Sequence, residues 1–457
     1  LPILGASYKH YSQDLSSQTL KNWFVEINQE TSKPVSLQPF PGWEQFSGRS
    51  GADGGAYTWN GITYKITDTT LYSVSSNGTE TSIGAISGTN VSTFAAIFDE
   101  LVICRDGNVY SYDGATLTKA TDADFQSPNF VDLINEQALY DGNSNQFCIS
   151  DAGILTSING LNFATAATRP GTLQRVVTFN EIIYVFTDTY AAKWWNTGSG
   201  NPPVDRITND VVQIGLKEPR SIGRNKRYMY WLGTDSAVYR TVNGELSEPG
   251  TIPLVTEFFK YNTSGAIGLC YNLRGQDFYQ LYFPAENKTW AFNESGGWFE
   301  ITSGVIEAGV AITSYTENYG KKLIGIGGYL YELKDGLYQA SGDPMIRERV
   351  SDKITSASLF GAEYAGRMVE HNSISVTAEV VGLLDDAPHM IIGFSDDGGR
   401  NYTDVFVEGG ELGENSYMWL FELHDLGSSL DRRYRVRISD NVKASIQGGS
   451  MEVNLGI

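Results

Sequence analysis

The chain has 457 residues, 49 of them glycine, with 12% aromatic and 19% charged residues; it is too apolar for a disordered chain and long enough for two or three domains. Its formal net charge of -20, from 33 basic and 53 acidic residues, argues against a dedicated phosphate-backbone binder, which needs a Lys/Arg excess to release counterions. No run approaches about 18 apolar residues, so no membrane-spanning helix is predicted, and LPILGASYKHYSQD shows no secretory signal.

Residues 1–50 are polar and turn-rich, with PFPGWEQF at 39–46; they are expected to form an extended N-terminal arm that orders by packing on partners. From 51 to 346 one unit recurs seven times: a turn residue, an apolar strand, a second turn and a second strand. Examples are NGITYKITDTTLYSVSSNG and FNEIIYVFTDTYAAKWWNTG. The first turns fall at Asn60, Asp99, Asn135, Asn180, Asn225, Gly275 and Gly320, at intervals of 39, 36, 45, 45, 50 and 45. The Asn-Gly, Asp-Gly and Gly-Gly pairs in these units supply the positive φ that hairpin turns need. A period of about 40–50 residues with several short strands predicts an all-β fold, a β-propeller of about seven blades; stacked meanders or paired sandwiches are the alternative. The single helical candidate is IPLVTEFFKY, with Ile252, Val255 and Phe259 at helical spacing. Beyond Pro344 the texture changes. SISVTAEVVG, HMIIGFSDDGG, SYMWLFELHDLG and RRYRVRISD read as strands of a small C-terminal β-sandwich over 347–457.

Three scattered cysteines, Cys104, Cys148 and Cys270, read as reduced core thiols of a protein made in a cytoplasm. His10, His371, His389 and His424 show no metal-ligand spacing with them. Asp141-Gly-Asn143-Ser-Asn145 begins like a calcium loop, but Gln146 and Ala152 stand where the glycine and the bidentate glutamate belong. GIGGYL at 325–330 lacks the third glycine of a dinucleotide loop. Ser395, Asp397 and Gly399 in SDDGGRNY approximate an Asp-box, a turn whose carboxylate satisfies backbone N–H groups. The role is structural. No catalytic, cofactor or metal residue is therefore assigned.

Two basic features remain. Lys217, Arg220, Arg224, Lys226 and Arg227 cluster near a blade entrance and are expected at a protein contact or on an outer rim. Arg433, Arg435 and Arg437 alternate with Tyr434, Val436 and Ile438, giving a strand with one basic and one buried face. That stripe is either a solvated face or a subunit contact with Glu408 and Glu411 of a neighbour.

VVTFNEIIYVFTDTYAAKWWNTGSGNPPVDRI, MYWLGTDSAVYRTVNGELSEPGTI and GQDFYQLYFPAENKTWAFNESGGWFE, in that order, resemble the packaged-DNA stabilisation, or tail-hub/nozzle, family of short-tailed bacteriophages. NWFVEINQETSKPVSLQPFPGWEQF is similar to the family's opening, though Lys21 precedes Asn22 where the family often has Cys or Ala. FSDDGGRNY with SSLDRRYRVRISDNVKASIQGG is similar to its close; 122–170 matches little beyond hairpin character. The resemblance implies a structural, non-enzymatic virion protein assembled in the host bacterial cytoplasm. It implies a homo-oligomeric ring, a hexamer, below the portal and adaptor, holding a plug or needle and carrying fibres or spikes. The ring retains packaged DNA and becomes the conduit for genome ejection, with duplex DNA passing without tight binding. A sialidase-like or carbohydrate-binding propeller is the rival reading.

Overall fold

The computed structural model describes residues 2–9, 17–27, 35–142, 145–166, 169–242, 245–247, 252–382, 387–413 and 417–456. The fold is all-β. Six blades are consecutive four-stranded antiparallel meanders, over 53–85, 93–119, 131–165, 173–212, 223–247 and 267–300. The seventh repeat contributes only three strands, Ser314–Asn318, Lys321–Ile326 and Tyr329–Lys334, and takes its fourth, Gly42–Gly48, from the N-terminal region. The expected count of about seven thus differs slightly: six blades are continuous, and a composite sheet closes the ring. Residues 131–165, which matched the family least, form a blade like the others.

The turn chemistry explains the meanders. Asn60-Gly61, Arg274-Gly275 and Tyr319-Gly320 have positive φ at both positions, the backbone of a two-residue turn that follows strand twist. Asn135-Glu136 and Asn180-Glu181 adopt it as well, with Glu136 at φ 59 and Glu181 at φ 62. The first strands of neighbouring blades pack against one another, as at 93–96 with 131–134, 131–134 with 173–179 and 314–318 with 53–59. The approach is close: a Cβ on Gly268 would stand 1.9 Å from the Ser221 carbonyl oxygen.

The segment 17–48 corrects the expectation of an arm. Its described residues form four strands: Ser17–Lys21, Trp23–Ile27, Val35–Pro39 and Gly42–Gly48. Trp23, Phe24, Leu37, Phe40 and Trp43 are all buried, each contributing about 1.5–3 kcal/mol of burial. Residues 347–457 likewise do not make a sandwich alone. One sheet runs Arg347–Val350, Asp431–Ile438, His389–Ser395, Thr403–Glu408; Ser17–Lys21 joins it to the outer strand of the sixth blade, Gly297–Glu300. The facing sheet runs Trp23–Ile27, Val35–Pro39, Lys443–Leu455, Val369–Val381, Met418–His424, Gly410–Glu411. One apolar core is continuous from Phe278 and Phe299 of the blade, through Phe24 and Phe40, to Ile374, Ile392 and Val436 of the sandwich. Propeller and sandwich are stapled together by the N-terminal strands.

The helix is present as Ile252–Lys260, with its buried face rotated one position from expectation. Leu254 and Phe258 are fully buried against blade aromatics, whereas Phe259 is 75% exposed.

Candidate functional site

Two charged regions stand out, one where the sandwich meets the propeller and one along the propeller axis.

At the junction, Asp431–Ile438 is an interior strand, so Tyr434, Val436 and Ile438 are buried on one face. The basic face meets acids of this same chain. Arg437 pairs with Glu307, from the turn after the sixth blade, and its Nε lies 3.2 Å from Glu348. Lys21 completes a four-charge cluster, at 2.5 Å from Glu307 and 3.2 Å from Glu348. Glu348 lies directly opposite Arg437 on the paired strand, the arrangement that relieves a row of like charges. Arg435 pairs with Asp404 and lies 4.1 Å over the Tyr402 ring. Arg433 is buried beside the turn that carries Gly399. Glu408 and Glu411 are exposed on other strands of the sandwich.

Ser395, Asp397 and Gly399 lie in one turn. Asp397 Oδ1 accepts from the Ser395 hydroxyl at 2.7 Å and from the backbone N–H groups of Arg400 and Asn401 at 2.9 and 3.0 Å. The Gly399 N–H donates to Ser395 Oγ at 2.9 Å. The N–H of Asn401 and the Ser395 hydroxyl hold the Asp397 carboxyl well below the usual carboxylate range. Asp396 makes a two-pronged pair with Arg432, at 2.6 and 2.7 Å. Beneath it His371 is buried, its Nδ1 2.8 Å from the Tyr434 hydroxyl and its Nε2 3.1 Å from Ser429 Oγ. Burial, and then the charge of Arg432, push this imidazole down to about 4.

Along the axis, two residues of the basic cluster meet partners from other blades. Arg224 reaches from the fifth blade to Asp132 of the third, with Nη2 2.6 Å from Oδ1, and donates to the Thr178 carbonyl of the fourth. Burial opposes the Asp132 charge, but Arg224 outweighs it and keeps the carboxyl below its ordinary value. Solvent still reaches Arg224, whose side chain is 41% exposed. Arg220 and Arg175 stand over the Phe130 ring at 5.1 and 4.7 Å, within the favourable range for a cation on an aromatic face. Arg175 donates to the Pro219 carbonyl at 2.8 Å. Of the two places expected for this basic cluster, a protein contact or an outer rim, the rim does not hold for Arg220 and Arg224, which face the propeller's own axis. Lys217 bonds Ser236 at 2.6 Å, while Lys226 and Arg227 are exposed. Their spacing in sequence hid the grouping; only the radial stacking of blades brings them together.

Among the described residues no His/Cys/Asp/Glu group has metal-binding geometry, and no helix is long and apolar enough to cross a membrane. The calcium-like run at 141–145 includes residues 143 and 144, and the histidine set includes His10; these three lie outside the described residues. Cys104 and Cys148 are buried and, like Cys270, form no disulfide. Burial pushes the Cys148 thiol up to about 12.

Comparison with known proteins places this architecture. Among solved structures, the chain is similar to PorZ, a surface component of the type-IX secretion system of Porphyromonas gingivalis. The identity is 14% and the TM-score 0.39, over 66% of this chain and 38% of PorZ. The computationally designed Ika8 protein matches at 10% identity and TM-score 0.38, over 70% of this chain and all of that one. The Pan2 WD40 domain of Neurospora crassa matches at 9% identity and TM-score 0.43, over 64% and 96%. No curated protein matches the chain significantly. The family model described as bacteriophage P22 Gp10, beta-propeller, matches residues 1–309, which include the N-terminal strands and all six continuous blades and end before the strands 314–334 of the composite sheet. The chain belongs to this phage stabilisation family, and is a structural tail protein of the virion.

Proposed function

We propose that the chain assembles as a homo-oligomeric ring, a hexamer, at the base of the phage tail, where it retains packaged DNA and becomes the conduit for genome ejection. The observation that carries this reading is the family match across the region that builds the propeller and staples it to the sandwich. A tail component must resist internal pressure without its domains parting. One continuous core, and one sheet running from the sixth blade into the sandwich, suit that demand. Apolar side chains left at the surface offer contact area: Val305 and Ile306 at a turn tip, and Phe406 beside the exposed Glu408 on the sandwich. Portal, adaptor, plug or needle, and fibres or spikes are the partners such a ring requires, and assembly takes place in the host bacterial cytoplasm.

The role is mechanical, not enzymatic. Asp132 is engaged by Arg224, and Asp53 by Thr313, Ser314 and the Gly55 N–H, so these axial carboxylates are committed to holding blades together. Sustained turnover of a sialoside or of peptidoglycan by the purified chain overturns this part of the reading. With a net charge of -20 per chain, the conduit guides duplex DNA without gripping it, since affinity for the backbone grows with the number of phosphates neutralised.

The decisive experiment is native mass measurement of the full chain, alone and with a portal–adaptor complex. The expected product is a ring near six times the 50.2 kDa chain, formed alone or on the adaptor. A chain that stays monomeric and never joins the complex refutes the proposal.

A further inference from the structure

The propeller axis holds a cavity of about 180 Å³ walled by the inner strands of five blades and the closing sheet. Arg175, Arg220, Ser92, Thr93, Thr313 and Ser314 line it. Its hydrogen bonding is incomplete on the donor side. Ser92 is only 6% exposed, yet its hydroxyl has no partner; Arg175 Nε is buried without an acceptor. Arg220 reaches only the Val91 carbonyl, at 3.4 Å, and Asp106 at 3.9 Å.

Buried donors without acceptors are costly, and a buried guanidinium without a counter-charge more so. The nearby carboxylates do not remove the deficit. Asp132 is held by Arg224, Asp141 accepts the N–H groups of Asn129 and Phe130, and Asp53 accepts from Thr313, Ser314 and Gly55. Asp106 accepts from Thr89 and Asn90. Burial also pulls Arg175 down to about 10, against the opposing pull of Asp132.

We propose that this axial cavity, between Arg175, Arg220 and Ser92, is a binding site for a compact oxyanion, either inorganic phosphate or a small carboxylate. Either ligand presents acceptor oxygens on a body small enough for the space. Charge-assisted bonds from planar guanidinium groups are the strongest way to hold such a group. Bound there between Ser92, Arg175 and Arg220, an anion ties the second and fourth blades to the segment that enters the fifth across the axis, and so stiffens the propeller.

The test is calorimetric titration of the full chain with inorganic phosphate, and separately with acetate, at ionic strength fixed by chloride. Saturable binding of one ligand per chain is expected, and the anion that binds names the class: phosphate alone, carboxylate alone, or oxyanions generally. Ser92→Ala removes an unpartnered hydroxyl with little risk to folding and should weaken binding about fivefold, the effect of one neutral hydrogen bond. Arg175→Met should weaken it about tenfold or more. Arg367→Met, on the sandwich, should leave it unchanged. No saturable binding of either anion to the unmodified chain overturns the proposal. So does binding that is the same in Ser92→Ala and Arg175→Met as in the unmodified chain.

Discussion

Replacing Asn22 by alanine tests the idea that the N-terminal strands hold the domains together. Asn22 is fully buried in the left-handed region, at φ 51, where asparagine is tolerated better than most residues. Its Nδ2 donates to the Thr302 carbonyl at 3.0 Å and the Ile346 carbonyl at 2.8 Å, and its Oδ1 accepts from the Thr302 N–H at 2.9 Å. The backbone continues the knot, donating to the Glu300 carbonyl and accepting from the Phe40 N–H. One side chain thus joins the N-terminal strands, the end of the sixth blade and the start of the sandwich. Alanine leaves at least the Thr302 N–H and the Ile346 carbonyl buried and unpaired, at about 1–3 kcal/mol each. Loss of a residue suited to positive φ adds about 1 kcal/mol. The sum is about 3–7 kcal/mol. Urea denaturation followed by tryptophan fluorescence reads it directly, because Trp23 is the adjacent residue, fully buried and bonded to the Ala444 carbonyl of the sandwich at 2.8 Å. A loss below about 1 kcal/mol, the worth of a single ordinary hydrogen bond, refutes the reasoning.

His371 predicts an acid-sensitive sandwich. Its folded pKa is about 4 against an ordinary 6.5, so the unfolded chain takes up the proton first and stability falls as pH drops from about 6.5 toward 4, by about 2–3 kcal/mol. Arg432, Asp396, Tyr434 and Ser429 are the groups around it; His371→Gln should flatten the difference between denaturation at pH 7 and at pH 4.5, and parallel profiles refute the assignment. Arg224→Met strands the Asp132 carboxylate and should cost about 2 kcal/mol, less than for a fully enclosed pair because solvent reaches the arginine; Arg224→Met combined with Asp132→Asn should recover most of it in the same denaturation assay. A fragment of residues 347–457 should fail to fold, as judged by amide-proton dispersion in NMR, whereas adding residues 17–48 on a linker should restore dispersion.

The sequence carried the features that depend on local chemistry. Turn pairs such as Asn60-Gly61 marked the blades because positive φ is demanded there regardless of tertiary context. The alternation of Arg435 and Arg437 with Val436 and Ile438 marked a half-buried strand for the same local reason. Outer blade strands left no such mark. Glu80–Ala85 and Leu117–Lys119 are largely exposed and show no apolar period, so each blade read as two strands instead of four. Lys443–Leu455, thirteen residues long, was missed because its second half packs little and reads as polar. In the helix, the packing of Leu254 and Phe258 set which face is buried, against the spacing of Val255 and Phe259.

What stayed hidden throughout is partnership across long sequence separations. Arg437 finds Glu307 from 130 residues away, and Arg224 finds Asp132 from 92; a charged strand face looks the same in sequence whether its partner is water, a neighbour or the same chain. The N-terminal region was misread for the same reason. Trp23, Phe24, Leu37, Phe40 and Trp43 make it as apolar as a core, but Pro39, Pro41 and the polar run between Phe24 and Leu37 break any period, and its pairing strands include 329–334 and 443–455. Such pairing makes closure of both domains wait for distant chain. The strand Gly42–Gly48 cannot complete the ring until Tyr329–Lys334 is in place, and Val35–Pro39 meets the last long strand only at Ile446. Loop-closure entropy over these spans is set against the burial of several large aromatic side chains, and that balance explains why the apolar residues concentrate in a segment with so little regular pattern.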